Sequence, residues 1–163
     1  SFYLDPGPSV PNHPELPALL YRGIFRESPG DVAAWYESSF RDHHWSGCWR
    51  NGIFSYHHFH PSTHEVLGIA RGSARVRLGG SNGPALDVEA EDVLVLPAGT
   101  GHCLLESRGR FQVVGAYPGG RSWDLKRSYA GTLDEVHERI RSVPLPDADP
   151  LYGPDGPLLR EWG

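Results

Sequence analysis

The 163-residue chain contains no methionine and only two cysteines, Cys48 and Cys103. The cysteines make no C-x-x-C pair and no zinc-ribbon spacing, so they build neither a redox motif nor a structural zinc site. Two free thiols suit a reducing, cytoplasmic setting, and the lack of any N-x-[ST] acceptor agrees with it. Positive charge is also scarce: 15 Lys and Arg stand against 20 Asp and Glu, giving a net charge of −5. With no basic cluster, a nucleic-acid partner is not expected. No apolar run approaches the roughly 20 residues of a membrane-spanning helix, so no membrane partner is expected either. No signal-peptide pattern opens the chain, but it starts at Ser1 rather than Met, so that absence says little about a leader.

Glycine and proline are plentiful, at 20 and 15 residues. That composition favours many short strands joined by turns, in a single domain (1–163) long enough for a sizeable core. Residues 1–17 form a proline-rich arm expected to lie over the domain or a partner. Ala18–Phe25 suits a first strand. Ser28, Pro29 and Asp31 predict a helix over 29–41 with Ser28 as N-cap, whose stripe of Val32, Trp35, Tyr36 and Phe40 packs on the core. Trp45–Gly52 reads as a loop. Seven strands are then predicted: Ile53–His60, Glu65–Arg71, Ala74–Leu78, Leu86–Glu89, Val93–Leu96, His102–Glu106 and Phe111–Tyr117. The run Gly79–Pro84 reads as a hairpin loop. Regular short strands of this kind predict an all-β sandwich or barrel over 18–117. Residues 118–163 hold a helix capped by Thr132 and Glu135 and ending near Ser142, then a tail. Leu151, Tyr152, Leu158, Leu159 and Trp162 make that tail too apolar to be free.

The chemistry concentrates in Gly52–Gly72, GIFSYHHFHPSTHEVLGIARG, which carries His57, His58, His60 and His64 of the nine histidines, with Glu65 beside them. Side chains two apart on a strand share a face, so His58 and His60 can grip one ion from one side. Pro61–Thr63 reads as a turn, after which Glu65 can return to the same ion. His102 arrives from another strand, behind the tight turn Gly99–Gly101. These residues predict one mononuclear site with His58, His60, Glu65 and His102 as ligands. His64 is held in reserve, because the turn can disturb the strand parity that otherwise turns it away. The donor set suits one divalent transition metal per subunit, Fe, Mn, Ni, Cu, Co or Zn, without choosing among them. His57 is expected on the outer face. Phe54, Tyr56, Leu67 and Tyr117 can line the interior, Phe54 and Leu67 as core filling, Tyr56 and Tyr117 with a polar tip for catalysis. Cys103 should point away from the ion, Asp92 should make a turn contact, and His43, His44 and His137 should be solvated.

Two stretches carry a family resemblance. Gly52, His58, His60, Glu65 and Gly72 in the first, and Pro97, Gly99 and His102 in the second, resemble the two signature motifs of the cupin superfamily. Glu91 and Glu106 depart from it, standing where the family usually has Gly and often has Asn. The wider pattern, through VVGAYPGG and VPLPDADPLYG, resembles a group of uncharacterised single-domain cupins, the YjlB-like proteins. The resemblance implies a double-stranded β-helix (a jelly-roll barrel), here with two peripheral helices, and a metal on His58, His60, Glu65 and His102. It implies no particular reaction.

Two functions follow as expectations. One is a metal-dependent enzyme on a small organic molecule, either dioxygenase-like or a Lewis-acid isomerase, decarboxylase or lyase, with Glu65, Tyr56 or Tyr117 managing protons. Resemblance to dioxygenase cupins favours oxygen chemistry. The alternative is a non-catalytic small-molecule or metal-binding sensor or storage protein. A homodimer is expected through the arm and tail, since cupins often pair through edge strands.

Overall fold

The β-rich middle of the sequence folds as one antiparallel sheet. In the computed structural model, which describes residues 1–163, its strands are β1 (Leu19–Tyr21), β2 (Trp45–Asn51), β3 (Glu65–Leu78), β4 (Ala85–Glu89), β5 (Val93–Leu96) and β6 (His102–Pro118). The ladder runs β1-β5-β3-β6-β2, with β4 also on β3. The architecture is the all-β jelly roll that the motifs imply; by backbone pairing it stays open between β1 and β2.

Where its central strands cross, at Val66–Ile69, Val93–Leu96 and Val113–Ala116, they are apolar at every position because both faces are covered. Val66, Val93, Val95, Val114 and Ala116 join one core, with helix α1 (Val32–Asp42) and Trp162 packed on it. Their neighbours Leu67, Ile69, Leu94, Leu96 and Val113 alternate to the other face and form the second core. Glu65 precedes Leu67 by two residues and so starts on this second face, whereas His64 precedes Val66 and starts on the first. α1 lies against β3 at Gly68, where an added Cβ would come within 2.8 Å of the Tyr36 ring. Tyr36 then donates its hydroxyl proton to the Ile69 carbonyl at 3.0 Å.

Several boundaries differ from the sequence reading. α1 begins at Val32 with Asp31 as N-cap, its carboxylate accepting from Ala34 N at 3.0 Å; Gly30 at φ +86° keeps the chain non-helical before it, so Ser28 does not cap. Trp45–Asn51 is a strand, not a loop. β3 runs unbroken through Gly72, whose φ of +74° and close approach to Arg108 O leave no room for a side chain. β6 likewise joins two predicted strands. Ile53–His60 is not a regular strand; its only pairings are single bridges from His58 to His102 and from Phe59 to Lys126. Helix α2 (Leu133–Arg141) begins at the expected cap, Thr132 Oγ1 accepting from Glu135 N at 3.2 Å. A third helix, α3 (Pro157–Trp162), was not expected. His137 is buried rather than solvated, with Nε2 donating to Pro11 O at 2.9 Å. Glu91, where the cupin pattern has Gly, sits at φ +79°, the backbone region that explains the family's preference.

Both ends of the chain pack on their own domain. Asn12 is fully buried and holds Gly79 O and Gly101 N through its side chain. Trp162 Nε1 donates to Pro17 O at 2.9 Å, tying tail to arm. Tyr3 of the arm and Leu145 and Tyr152 of the tail nevertheless remain exposed.

Candidate metal centre

The segment His58–His60 is placed by backbone bonds on both sides. His58 N donates to His102 O and His102 N to His58 O, at 3.2 and 2.9 Å, while Phe59 exchanges bonds with Lys126 at 2.9 and 3.0 Å. Alternate residues thus bond in opposite directions, as on a strand, and His58 and His60 turn to the same side while Phe59 is buried opposite. Gly99 N donates to His60 O at 2.9 Å, which fixes the tight turn ahead of β6. His102 then stands beside His58, ring centroids 4.0 Å apart.

Each of the three imidazoles has its Nδ1 held by a backbone carbonyl: His58 by Tyr56 O at 2.9 Å, His60 by Asp124 O at 2.8 Å, and His102 by Thr100 O at 3.0 Å. A carbonyl only accepts, so each Nδ1 carries a proton, and the neutral form of each ring is the tautomer with its lone pair on Nε2. The donor atoms of these three buried histidines lie within 4.8 Å of one another. Burial first, then the neighbouring His102, pushes the His58 pKa down to about 3, which keeps that ring neutral.

Glu65 completes the group from the first residue of β3. Its Oε1 lies 3.4 Å from His102 Nε2 and 3.6 Å from His60 Nε2, and it has no hydrogen-bond partner. Burial works to raise its pKa, but His60, His102 and the neighbouring Tyr117 hold it below the ordinary carboxylate range. Glu65 Oε1 thus shares its space with Nε2 of His60 and His102; a proton on one ring can bridge only one of these contacts, whereas a divalent cation between them engages all of these atoms at once. Co-ligands of an ion with bonds of about 2.1 Å sit about 3 to 3.5 Å apart, close to these separations. The residues present fit a divalent transition metal.

Tyr117, two residues from Gly115 on β6, accepts from Trp49 Nε1 at 2.8 Å. Trp49 lies over Gly115, where a Cβ would come within 2.2 Å of the indole. Burial first, then the Glu65 charge, raises the Tyr117 pKa and keeps it a neutral phenol. The group opens into a cavity of about 450 Å³. Its walls include Trp49, Arg50, Asn51, Ile53 and Trp123, none of which was singled out from sequence. The local pattern of Trp45–Gly52 is that of a loop, and Trp123 lies in an irregular link. The Trp-rich composition of Trp45–Trp49 was the available signal.

Of the other sequence-predicted residues, Leu67 and Tyr117 line this cavity as expected. Phe54 lines it too, but at the mouth and 49% exposed, rather than filling the core. Tyr56 is a correction. Its ring stacks on Phe54 at 5.1 Å and under the Arg127 guanidinium at 4.3 Å, and it lines a separate depression with His57. Its contribution to the site is its carbonyl, which orients His58. His64 is fully buried on the other face against Trp162, ring centroids 4.9 Å apart, with Nδ1 accepting from Ala98 N at 2.9 Å. The reserve position thus lies outside the group. His57 lies outside it as well. Asp92 makes the turn contact foreseen for it, accepting from Gly23 N and Glu89 N. His43 and His44 meet Pro150 O and Asp147 at the end of α1, and Cys103 takes no part in the cavity.

No family model matches the chain. Among solved structures it is similar to acireductone dioxygenase from Bacillus anthracis with cadmium ion in its active center (15% identity, 63% of this chain and 70% of that one, TM-score 0.43). It is also similar to a DUF861 family protein from Thermotoga maritima (18% identity, 61% and 96%, TM-score 0.35). Likenesses this slight carry no chemistry from one protein to another. In sequence, the chain is 37% identical over 161 residues to the uncharacterized protein YjlB of Bacillus subtilis (strain 168), covering 99% of this chain and 94% of that one. Identity at that level along nearly the whole length, with both cupin motifs in one antiparallel jelly roll, makes the chain a member of the YjlB-like family of single-domain cupins.

Proposed function

We propose that the protein is a mononuclear metal-dependent enzyme acting on a small organic molecule, with the ion held by His58, His60, His102 and Glu65. The observation that carries this reading is the buried Glu65 Oε1, without a hydrogen-bond partner, set 3.6 and 3.4 Å from Nε2 of His60 and His102, whose Nδ1 atoms are fixed on backbone carbonyls. The open cavity beside the group favours turnover over storage, since a storage site gains nothing from an approach path about 450 Å³ in size. When bound, a divalent ion supplies a Lewis acid and, for iron, copper or nickel, a redox centre.

The chain's own residues supply the rest. The three backbone carbonyls fix the ring orientations, so the donor atoms are in place before any ion arrives. Tyr117, with its oxygen already accepting from Trp49, has its hydroxyl proton free to donate towards Glu65 or a substrate oxygen. Leu67, Ile53 and Trp49 give the group an apolar inner wall, which strengthens the charge interactions beside it.

The test is metal analysis of the purified protein after growth in iron, manganese, cobalt, nickel, copper and zinc in turn. Oxygen uptake and product analysis with enediol, flavonol and catechol compounds then follow. About one equivalent of one of these metals, with turnover that chelation abolishes, is the expected result. A chain that binds no ion in any of these media contradicts the metal assignment. An ion bound without turnover of any compound contradicts the enzyme reading and leaves a sensor or storage protein.

A further inference from the structure

We infer that the cavity takes a planar, conjugated chelator, an aromatic vicinal diol or hydroxy-ketone of one to three rings, with no charge beyond its chelating oxygens. The inference rests on the metal reading of the site and adds what the surrounding walls select.

Two half-exposed aromatic rings flank the mouth. Trp123, 48% exposed, stands on the His60 side, its ring 5.3 Å from that imidazole and stacked on Tyr117 at 6.2 Å. Phe54, 49% exposed, stands on the His58 side at 5.4 Å. Phe54 is held from behind by the stack of Tyr56 and Arg127. Two large rings left half in water, one beside His58 and one beside His60, offer flat apolar surface to whatever enters the cavity. A planar conjugated ligand covers such surface with little loss of its own conformational freedom.

The charges point the same way. Arg50 is the one Lys or Arg side chain lining the cavity. Its guanidinium is already occupied by Glu37 through bonds of 3.0 and 2.6 Å. Small polycarboxylates therefore find no unpaired cation on the walls. A divalent ion with the Glu65 carboxylate leaves one net positive charge, enough for a single phenolate or enolate oxygen. A dianion of short saturated acid would bring surplus charge and no flat surface.

The experiment loads the full chain with cobalt(II), confirms the metal content, and follows the cobalt visible spectrum and heat of binding under nitrogen. The ligands are 2,3-dihydroxynaphthalene, malonate and trans-cyclohexane-1,2-diol. The naphthalene diol is expected to bind at least about tenfold more tightly than either of the others. Trp123→Ala and Phe54→Ala should each weaken it by about three- to tenfold while keeping the full cobalt content, since both rings are half-exposed and neither touches the ion. Malonate binding as tightly as the diol, or unchanged diol affinity in both variants, overturns the ligand class while leaving the metal centre standing. A wild-type chain that takes up no cobalt overturns the metal reading and this inference with it.

Discussion

The protein buries two sets of three histidines, and only one of them can hold an ion. His58, His60 and His102 each give their Nδ1 proton to a carbonyl, and their ligand atoms gather within 4.8 Å of one another beside Glu65. His13, His64 and His137 are buried just as well, between the arm, the start of β3 and α2. There the ring nitrogens serve the backbone. His13 Nδ1 accepts from Glu15 N and Leu16 N, His64 Nδ1 accepts from Ala98 N, and His137 Nε2 donates to Pro11 O. The proton of neutral His64 then sits on Nε2, which faces the Pro144 carbonyl without reaching hydrogen-bond geometry. Burial and number of imidazoles are alike in the two sets. What separates them is which nitrogen is left free and whether a carboxylate waits beside it.

The strongest way to break that comparison is a crossed pair of substitutions. His102→Ala is expected to weaken metal binding by about 100-fold or more, since it removes a direct ligand and leaves the other donors under-defined. It should change the stability of the metal-free chain less than His64→Ala does. His64→Ala should leave affinity within about threefold but destabilise the fold by about 2 to 4 kcal/mol, because a fully buried ring is deleted from a packed site. Metal titration and urea unfolding of both variants check this. The same loss of metal in both would erase the distinction.

Acid provides the next effect. Burial first, then His13, pushes His64 down to about 3, and burial likewise pushes His13 to about 4. Both fold as neutral rings, while in the unfolded chain they take up protons below about pH 6.5. Their contribution is complete above pH 6.5 and is lost as pH falls from there through about 4 and 3. For fully buried His64 this amounts to about 1.4 kcal/mol per pH unit in that window. Unfolding of the metal-free protein at pH 7, 6 and 5 should show the decline. A flat profile would mean these rings are not buried neutral.

A smaller effect should come from Asp124. Its carbonyl orients His60, and its side chain is tethered by Ser62 Oγ at 2.7 Å and Arg139 Nη2 at 3.0 Å. Asp124→Ala keeps the carbonyl but frees the link, and metal affinity should fall by about three- to tenfold. The smallest effect belongs to His57→Ala, which should leave metal content unchanged because His57 lies outside the group.

Much of this was legible in the sequence where local geometry repeats. Alternation set Glu65 and Leu67 on one face and His64 and Val66 on the other, so β3 sorted ligand candidate from core histidine without knowledge of its partners. The His58–His60 parity survived for a different reason than expected. Only residues 58–60 keep strand-like bonding, and the argument fails a few residues earlier, at Tyr56, where no ladder holds the chain. β2 was missed because Gly47, Arg50 and Asn51 read as loop residues. It exists because β6 pairs with it across a register shift between Ser46 and Trp49. The cavity walls on β2 and at Trp123 were hidden for the same cause: long-range pairing, not local pattern, brings them to the site.

The most direct measurement is a crystal grown with cobalt or zinc and measured at that metal's absorption edge. The account predicts one anomalous peak about 2.0 to 2.2 Å from Nε2 of His58, His60 and His102 and from an Oε of Glu65. No peak in that space, or an ion bound instead through Nδ1 atoms or by His13, His64 and His137, would contradict it.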